Sequence, residues 1–391
     1  MSTLKVNAIR QTSASTDAVT LAADGTCTVK ATNNLSNRNL IINGAMQVNQ
    51  YGTSSTTSAS RVCDRFRVNW GGADEGFTYS KHALTSSDTG PWAKGFRHSL
   101  HVQNGNQTSG AGAADYGGIN YRVEAQDVVT SGWDSTSASS YITFSYWVKS
   151  SVAQNFYVRV YINDAPQYSY AFETGALSAN TWTKITKTIP GNPNIAIVND
   201  NGNGLEFDMN VFLGTDYTGS MSLNTWAADN GALRTPDQTS TWWTTNDATF
   251  EITGVQLEVG EVATEFEHRS YADDLQRCLR YYLKITKDDT GDIGVAPGWC
   301  RDTERCHGNI NFPVPMRASP SSMEQTGTAS DYAVAHKTSG PVGQSVPAFD
   351  SATQYSASLT LQVVGTPFTA GECGRIQGQT AAAFLAWSSE L

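Results

Sequence analysis

Apolar and polar side chains alternate strictly along several segments between residues 40 and 254, a pattern typical of strands with one buried face. The segment YITFSYWVKSS, for example, places Ile142, Phe144, Tyr146 and Val148 on one face. Stretches rich in Gly, Asn and Pro, such as GGADEG, NDNGNG and IPGNPN, separate the runs and predict turns. The other runs carry Phe66, Val68 and Trp70; Phe156, Val158, Val160 and Ile162; and Leu205, Phe207, Met209, Val211 and Leu213. The pattern predicts an all-β fold, an antiparallel β-sandwich of jelly-roll type over residues 37–268.

One short helix is predicted directly after the sandwich. Ser270 is a suitable N-cap, and Asp273 and Asp274 fall in the first turn, where the helix dipole favours acidic side chains. Apolar side chains recur at spacings of four and three, at Tyr271, Leu275, Cys278, Leu279 and Tyr282. We expect this apolar stripe to join the sandwich to a smaller C-terminal β domain, residues 269–391.

The two ends of the chain differ from the sandwich. Residues 1–36 contain only short alternating runs and an Asp24-Gly25 turn, with too little apolar surface to fold alone. They predict an extended arm or stalk that needs a partner surface. In the C-terminal part, NINFPVPMRASP, SASLTLQVVGTPF and AAFLAWSSEL predict strands that prolines keep short or place at sheet edges.

Composition and charge support this interpretation and exclude some functions. Hydrophobic residues make up 39% of the 391 residues and charged residues 16%, as in strands whose solvent face carries hydroxyl and amide groups. The net charge of −10 argues against nucleic acid as a partner. No apolar run reaches the roughly 18 residues of a membrane span, and MSTLKVNAIR lacks the apolar core of a secretory signal, so no membrane insertion is expected. Six scattered cysteines predict reduced thiols.

The motifs of common enzymes are missing, and the metal-like groups are weak. The sequence contains no G-x-S-x-G, no P-loop and no H-E-x-x-H. His98 and His101 lie three residues apart in one strand, so they point to opposite faces and cannot share a metal without a bulge. Cys300, Cys306 and His307 match no usual zinc spacing, and a loop with ordinary thiols is the favoured interpretation. No cofactor, metal or catalytic residue is therefore assigned.

Two acidic segments remain open alternatives. Residues 199–210 resemble a calcium loop around Asp200, but Asn210 stands where the bidentate glutamate belongs, and a turn is the favoured interpretation. A glycosidase would need two paired carboxylates, for which a cluster of glutamates is available, although solvated strand ends are the simpler interpretation. These are Glu258, Glu261, Glu265 and Glu267.

Three tryptophans in one long polar segment are the candidate ligand-binding residues. Trp226, Trp242 and Trp243 lie among Gly, Asn and Asp, and two adjacent indoles of an extended segment cannot both face one core. One of them is then expected to be exposed. An exposed indole beside amides and carboxylates is suited to stack on a sugar ring. The alternative is that one indole closes the end of the sandwich and the other covers a subunit interface.

Several segments, taken in order, resemble bacteriophage tail-fibre and related virion surface proteins. They are NLIINGAMQVNQ, CDRFRV, ITFSYWVKSS, ITGVQLEVGEVATEFEHRSYADDLQRCLRYY, FPVPMRASP and AAFLAWSSEL. STLKVNAIRQTSASTDAVTLAADGT resembles the N-terminal anchoring segments of fibre-like proteins in phages of marine and freshwater bacteria, including cyanobacteria. The resemblance implies a homotrimer, a jelly roll akin to carbohydrate-binding modules and a place on the particle surface. It supplies no catalytic residues.

The resemblance implies a virion structural protein that is not an enzyme. We expect assembly in the host cytoplasm, attachment to other virion proteins through residues 1–36, and contact with a host cell-surface glycan. Weak sugar binding would be strengthened by trimeric valency, by about 10²–10⁴ where geometry permits. The alternatives are a head fibre or capsid decoration protein that stabilises the particle, and a polysaccharide depolymerase.

Overall fold

The elements of the fold are those of a computed structural model, which describes residues 6–13, 15, 17–21, 23, 27–29, 37–287, 293–336 and 339–391. The strands are β1 (Ala8–Ile9), β2 (Val19–Leu21), β3 (Cys27–Val29), β4 (Ser54–Ser55), β5 (Ser60–Arg61), β6 (Arg67–Gly71), β7 (Thr78–Ala83), β8 (His98–Gln103), β9 (Tyr116–Glu124), β10 (Tyr141–Ser150), β11 (Asn155–Ile162), β12 (Tyr168–Ala176), β13 (Thr183–Pro190), β14 (Asn203–Leu213), β15 (Trp226–Ala228), β16 (Thr249–Val259), β17 (Tyr282–Thr286), β18 (Ile293–Cys300), β19 (Arg305–Asn311), β20 (Glu324–Gln325), β21 (Tyr332–His336), β22 (Ser339–Val342), β23 (Ala348–Ala352), β24 (Ser356–Gln362), β25 (Cys373–Gly378) and β26 (Phe384–Ser388). The helices are α1 (Ala125–Val129), α2 (Thr241–Thr244) and α3 (Tyr271–Leu279), and 3-10 helices span Trp92–Lys94 and Ala329–Asp331.

Two antiparallel sheets form the sandwich. Sheet I has the strand order β13-β10-β16-β8-β7-β4, and sheet II has the order β15-β12-β11-β14-β9-β6-β5. Their inner faces meet in one core, in which the ring of Phe144 from sheet I stacks on Phe207 from sheet II with centroids 4.3 Å apart. The predicted all-β antiparallel sandwich of jelly-roll type is confirmed.

Alternation along the strands decides which side chains enter this core. On β10 the predicted inner residues Ile142, Phe144, Tyr146 and Val148 are all buried. The predicted inner residues of β11 and β14 are buried in the same way, which confirms those predictions. Trp70 is only half-buried and stacks on Phe77 with centroids 5.0 Å apart.

The C-terminal part has two sheets and a separate core. Sheet III has the order β17-β26-β20 and sheet IV the order β22-β21-β25-β18-β19-β24-β23. The strands predicted in SASLTLQVVGTPF and AAFLAWSSEL are confirmed in part, as β24 and β26, each of which is shorter than its predicted segment. The strand predicted in NINFPVPMRASP is wrong in extent, because β19 begins at Arg305 and ends at Asn311. Pro313 and Pro315 lack the N–H that a continued strand would use.

Helix α3 lies between the two cores. The Oγ of Ser270 accepts a hydrogen bond from the backbone N–H of Asp273 at 3.2 Å, which confirms the predicted N-cap. Cys278 is buried against Ile42 and Val48 of the sandwich side, whereas Leu279 packs against the C-terminal core. The predicted apolar stripe is wrong at both ends, since Tyr271 is 53% exposed and Tyr282, although buried, lies in β17 and not in the helix. The residue boundaries of the domains stay a prediction.

The described part of the N-terminal arm forms the small antiparallel sheet β1-β2-β3. Ile9 is 57% exposed and Leu21 39% exposed, so β1 and β2 bury little apolar surface. The predicted Asp24-Gly25 turn lies outside the described residues. Across the described ranges, no helix combines the length and the apolar character needed to cross a membrane.

Candidate functional site

The three tryptophans proposed as ligand-binding residues are buried. Trp242 and Trp243 are both fully buried and Trp226 is 7% exposed. The Nε1 of Trp242 donates to the carbonyl of Thr249 at 3.0 Å, and that of Trp243 to the carbonyl of Gly110 at 3.1 Å. The prediction that one indole is exposed is wrong, because it assumed an extended segment. Residues 241–244 form helix α2, and both indoles enter the core.

The histidine and cysteine groups behave largely as the sequence indicates. His101 lies on the outer face of β8, opposite to the buried Leu100 and Val102, so it does not meet His98. Cys300 and Cys306, predicted in a loop, face each other across β18 and β19, and both are buried. Burial raises the pKa of Cys306 to about 12, which disfavours the thiolate that a metal would need.

In the acidic segments, Asp200, Glu258 and Glu267 accept hydrogen bonds from within the protein. Asp200 Oδ1 accepts the N–H of Gly202 at 2.7 Å, which is the hydrogen bond of a turn. Glu258 is buried and accepts two hydrogen bonds from Thr264, at 2.8 and 2.7 Å. Glu267 accepts the N–H of Asn39 at 2.8 Å. The two other glutamates of that cluster, Glu261 and Glu265, are exposed.

The outer face of sheet II carries the candidate site. Because side chains alternate across a strand, the residues between the core positions of β9, β11 and β14 all point outward on this side. Strand pairing sets Asp208 beside both Asn120 and Arg159, and sets Glu206 beside Arg122 and Tyr161. We call this surface the polar face: Asn120, Arg122, Tyr157, Arg159, Tyr161, Glu206, Asp208 and Asn210.

Ion pairs hold the floor of the polar face in place. Arg159 Nη1 lies 3.1 Å from Asp208 Oδ2, and Asn120 donates to the other oxygen of the same carboxylate. Arg122 Nε donates to Glu206 Oε2 at 2.9 Å. The side chain of Arg159 is 8% exposed and that of Asp208 13%. These groups are therefore fixed by one another before any ligand binds.

Two tyrosines stand on either side of Arg159 along β11. Tyr157 and Tyr161 are both half-buried, so part of each ring reaches solvent. The guanidinium carbon of Arg159 lies 4.3 Å from the ring centroid of Tyr161, which orients that ring. Four residues of strand separate the tyrosines by about 13 Å. This spacing suits an extended ligand of several rings better than one small ring.

The segment after β14 forms one wall of the polar face. Asn224 donates its N–H to the carbonyl of Ala171 at 2.8 Å, and Asp229 forms an ion pair with Arg159. Ala171 and Ser169 of β12 are buried as a result, although they point to the outer side of sheet II. The accessible part of the face thus lies over β11, β14, β9 and β6, bounded by this wall on one side, and we call this strip the groove.

The charges of the groove are paired at its centre. At its β5–β6 end Arg61 pairs with Glu390 and Arg122 with Glu206, so that, among the described residues, Arg67 is the arginine of this end without a carboxylate partner. Burial by itself lowers the pKa of Arg159, but Asp208 and Asp229 reverse this and the pKa is raised, so the side chain stays charged. Burial and the neighbouring Asp208 raise the pKa of Glu206. At the β5–β6 end, burial and then the charges of Arg122 and Arg61 lower the pKa of Arg67, as expected in a cluster of cations.

The sequence contained a signal for this site. The segment NFYVRVYIND was interpreted through its inner residues, while its other face places Tyr157, Arg159 and Tyr161 at successive alternate positions. The partners from β9 and β14 could not be foreseen, because they depend on strand order and register.

Comparison with known proteins finds similarity to solved structures and none to a family model or a curated protein. Among solved structures, the chain is similar to the enzymatically active domain of tailspike protein 4 of bacteriophage CBA120, with 11% identity and a TM-score of 0.31. That match covers 56% of this chain and 21% of the tailspike chain.

Two further likenesses are to carbohydrate-binding domains. The N-terminal cellulose-binding domain of β-1,4-glucanase C from Cellulomonas fimi is 14% identical, with a TM-score of 0.27 over 55% of this chain and 97% of that one. The CBM22-1–CBM22-2 tandem domain of Xyn10C from Paenibacillus barcinonensis is 10% identical, with a TM-score of 0.26 over 86% and 89%. At these identities and TM-scores the likenesses carry no argument about function, which must be argued from the side chains.

Proposed function

We propose that this protein binds a glycan in the groove of the polar face. The observation that carries the proposal is the pair of half-exposed tyrosines, Tyr157 and Tyr161, above a floor of fixed carboxylate, guanidinium and amide groups. Tyrosine rings stack on the apolar faces of sugar rings, and charged groups held in place bind hydroxyls without further ordering.

The β5–β6 end of the groove favours a glycan with acidic substituents. Arg67 is partly exposed beside Arg61 and Arg122, and its Nε donates to the carbonyl of Ala59 at 3.3 Å. A guanidinium held in this way suits a uronate carboxylate or a phosphate of a bacterial polysaccharide. The overall charge of −10 does not oppose this, because screening confines the interaction to about 8 Å at physiological salt.

We propose binding without cleavage. Arg159 pairs with Asp208 and Arg122 pairs with Glu206, so neither carboxylate is free to attack or to activate water before a substrate arrives. A glycosidase would instead need one carboxylate free to attack or activate water and one able to donate a proton.

Affinity electrophoresis of the full chain tests the proposal. Native gels would contain neutral glucan, xylan or an acidic bacterial polysaccharide, and a non-binding protein of similar charge would serve as the control. We expect retardation that is strongest in the acidic gel. Migration unchanged in every gel contradicts glycan binding, and release of reducing ends from a bound polysaccharide contradicts binding without cleavage.

We also propose that this glycan binding serves attachment of a phage particle to its host. The support is the sequence resemblance to virion fibre proteins, with residues 1–36 as the anchoring arm and the homotrimer as the expected assembly. Immunogold labelling of particles with antibody to residues 40–250 tests the location. Gold at the tail agrees with attachment, and gold over the capsid supports the alternative of a head fibre or decoration protein.

A further inference from the structure

A second polar cluster lies on the outer face of sheet I, on the opposite side of the sandwich from the groove. His82 of β7, His101 of β8 and Glu251 of β16 come from three adjacent strands. Register places Glu251 directly beside His101, and places His82 beside Ser99, the next outward residue of β8. The three side chains therefore converge because of strand pairing alone.

The distances within this cluster fit a metal ion. His82 Nδ1 lies 3.3 Å from Glu251 Oε2, and His101 Nδ1 lies 3.5 Å from Glu251 Oε1. One ligand atom from each residue lies within 4.8 Å of the others. A tetrahedral Zn²⁺ with ligand bonds of about 2.0–2.1 Å holds its ligand atoms about 3.3 Å apart. The two histidine–carboxylate distances are thus close to the tetrahedral spacing, and a separation of up to 4.8 Å within the cluster would need a small side-chain movement to reach it.

Two features indicate that the cluster is prepared for a ligand. The Nδ1 of His101 is buried, and within the described residues its 3.5 Å contact with Glu251 Oε1 is its one polar contact, too poorly aligned to count as a hydrogen bond. Ser99 Oγ donates to Glu251 Oε2 at 2.7 Å and fixes the carboxylate, which is 3% exposed. The His82 side chain is 51% exposed, so the fourth coordination position opens to solvent.

We propose that His82, His101 and Glu251 form a site for a divalent transition-metal ion of the zinc type, with a solvent molecule as fourth ligand. Two imidazoles and one carboxylate are a common ligand set for such ions, whereas Ca²⁺ and Mg²⁺ prefer oxygen ligands alone. The ion would bridge β7, β8 and β16 and so stabilise sheet I. This site is independent of the glycan groove.

Lys149 competes with the ion for the carboxylate. Its Nζ lies 2.9 Å from Glu251 Oε1 and 3.2 Å from Asp88 Oδ1. When a metal takes Glu251, the ammonium can remain on Asp88. Replacing Lys149 with a neutral side chain should strengthen metal binding, because the repulsion between the ammonium and the metal ion is removed.

Titration calorimetry of the chelator-treated full chain with ZnCl₂ tests the site. We expect one ion per chain, a raised melting temperature with excess Zn²⁺, and no response to CaCl₂. His82→Asn and His101→Asn should each weaken binding at least about tenfold, whereas Lys149→Gln should tighten it several-fold. His98→Asn, on the opposite face of β8, is the matched control and should bind as the wild type does.

The thiols are the main competing explanation and are tested separately. Cys373 is exposed, and Cys373→Ser should bind Zn²⁺ as the wild type does. Co²⁺ bound at the proposed site should give visible bands of nitrogen and oxygen ligation without a thiolate charge-transfer band. Absence of Zn²⁺ binding, binding that persists in both histidine variants, or a thiolate band that Cys373→Ser removes each contradict the proposal. Circular dichroism of every variant verifies that a loss of binding is not a loss of fold.

Discussion

Arg280, at the end of helix α3, holds the carboxylate of Glu124 through two hydrogen bonds, from Nε at 2.9 Å and from Nη2 at 2.5 Å. Glu124 ends strand β9 of the sandwich and its side chain is fully buried. The hydroxyl of Tyr281 donates to the same carboxylate at 2.7 Å. A planar guanidinium and a carboxylate fix both distance and orientation, so this contact sets how the helix leaves the sandwich.

Removing the charge of Glu124 should therefore loosen the joint. Glu124→Gln leaves the Arg280 guanidinium, which is 30% exposed, without its partner. We expect a loss of about 2–3 kcal/mol in the free energy of unfolding, below the roughly 3–5 kcal/mol of a fully buried pair. Urea denaturation, with limited proteolysis around residues 268–285, measures this effect.

The control for that experiment is Glu265, a surface glutamate that also forms an ion pair. Glu265 is exposed and its carboxylate lies 3.1 Å from Lys94 Nζ, so Glu265→Gln should leave the unfolding midpoint unchanged. Leu275→Asp should act on the same joint as Glu124→Gln, because Leu275 packs with Cys278 and Tyr281. Unaltered protease resistance in both joint variants would show that α3 does not fix the C-terminal part.

Asp64 should make stability fall as pH rises. Burial raises the pKa of this carboxyl to about 7 from 3.8, although two hydrogen bonds from Gln50 oppose the change. The folded state therefore binds the proton more tightly, and its advantage is complete below 3.8 and lost by about pH 7. Asp64→Asn has no titrating carboxyl at this position. Its free energy of unfolding relative to wild type should therefore rise between pH 3.8 and about pH 7.

Comparing wild type with Asp64→Asn isolates the contribution of Asp64 to the pH dependence of stability. Glu390 nearby acts in the opposite sense: burial raises its pKa, but Arg65 and Arg61 overcome this and the net pKa is lowered. Because Glu390 is common to both, its contribution cancels in the difference. The unfolding free energies of wild type and Asp64→Asn, measured by thermal unfolding at several pH values, should diverge by about 4 kcal/mol. Parallel curves would mean that Asp64 titrates normally.

Trp243 should be a stability residue and not a binding residue. Trp243→Phe removes buried volume and leaves the carbonyl of Gly110 without the indole donor. We expect a cost of about 1–3 kcal/mol in unfolding free energy with glycan binding retained by the folded protein. Denaturation and affinity electrophoresis of the same sample separate the two effects. Loss of glycan binding at an unchanged free energy of unfolding would mean that the Trp243 indole contacts the ligand.

These results show which features the sequence could predict. Inner faces such as that of β10 follow from alternation, because burial of one face is a local property of a strand. The prediction that one of the adjacent Trp242 and Trp243 is exposed was wrong, because a helix of four residues is too short to show a recognisable periodicity. The polar face and the His82–His101–Glu251 cluster depend on which strands are neighbours and in what register. That information arises only when distant segments pair.

Arg67 should determine the preference for acidic glycans. Arg67→Gln removes one cation from the end of the groove, and we expect affinity for an acidic polysaccharide to fall several-fold, more at low salt than at high salt. Binding of a neutral glycan should be unaffected. Arg301→Gln, an exposed arginine of the C-terminal part, is the control for the change in net charge. Equal losses in both variants would indicate a general charge effect.

The most direct test of the account is the affinity of the full chain for its best-binding polysaccharide when Tyr157 or Tyr161 is replaced. Tyr157→Ala and Tyr161→Ala should each weaken binding about tenfold through loss of stacking, while the Phe variants keep most of it. Tyr271→Ala removes an exposed tyrosine of α3, away from the groove, and should bind as the wild type does. If both groove variants bind like Tyr271→Ala, the polar face is not the glycan site.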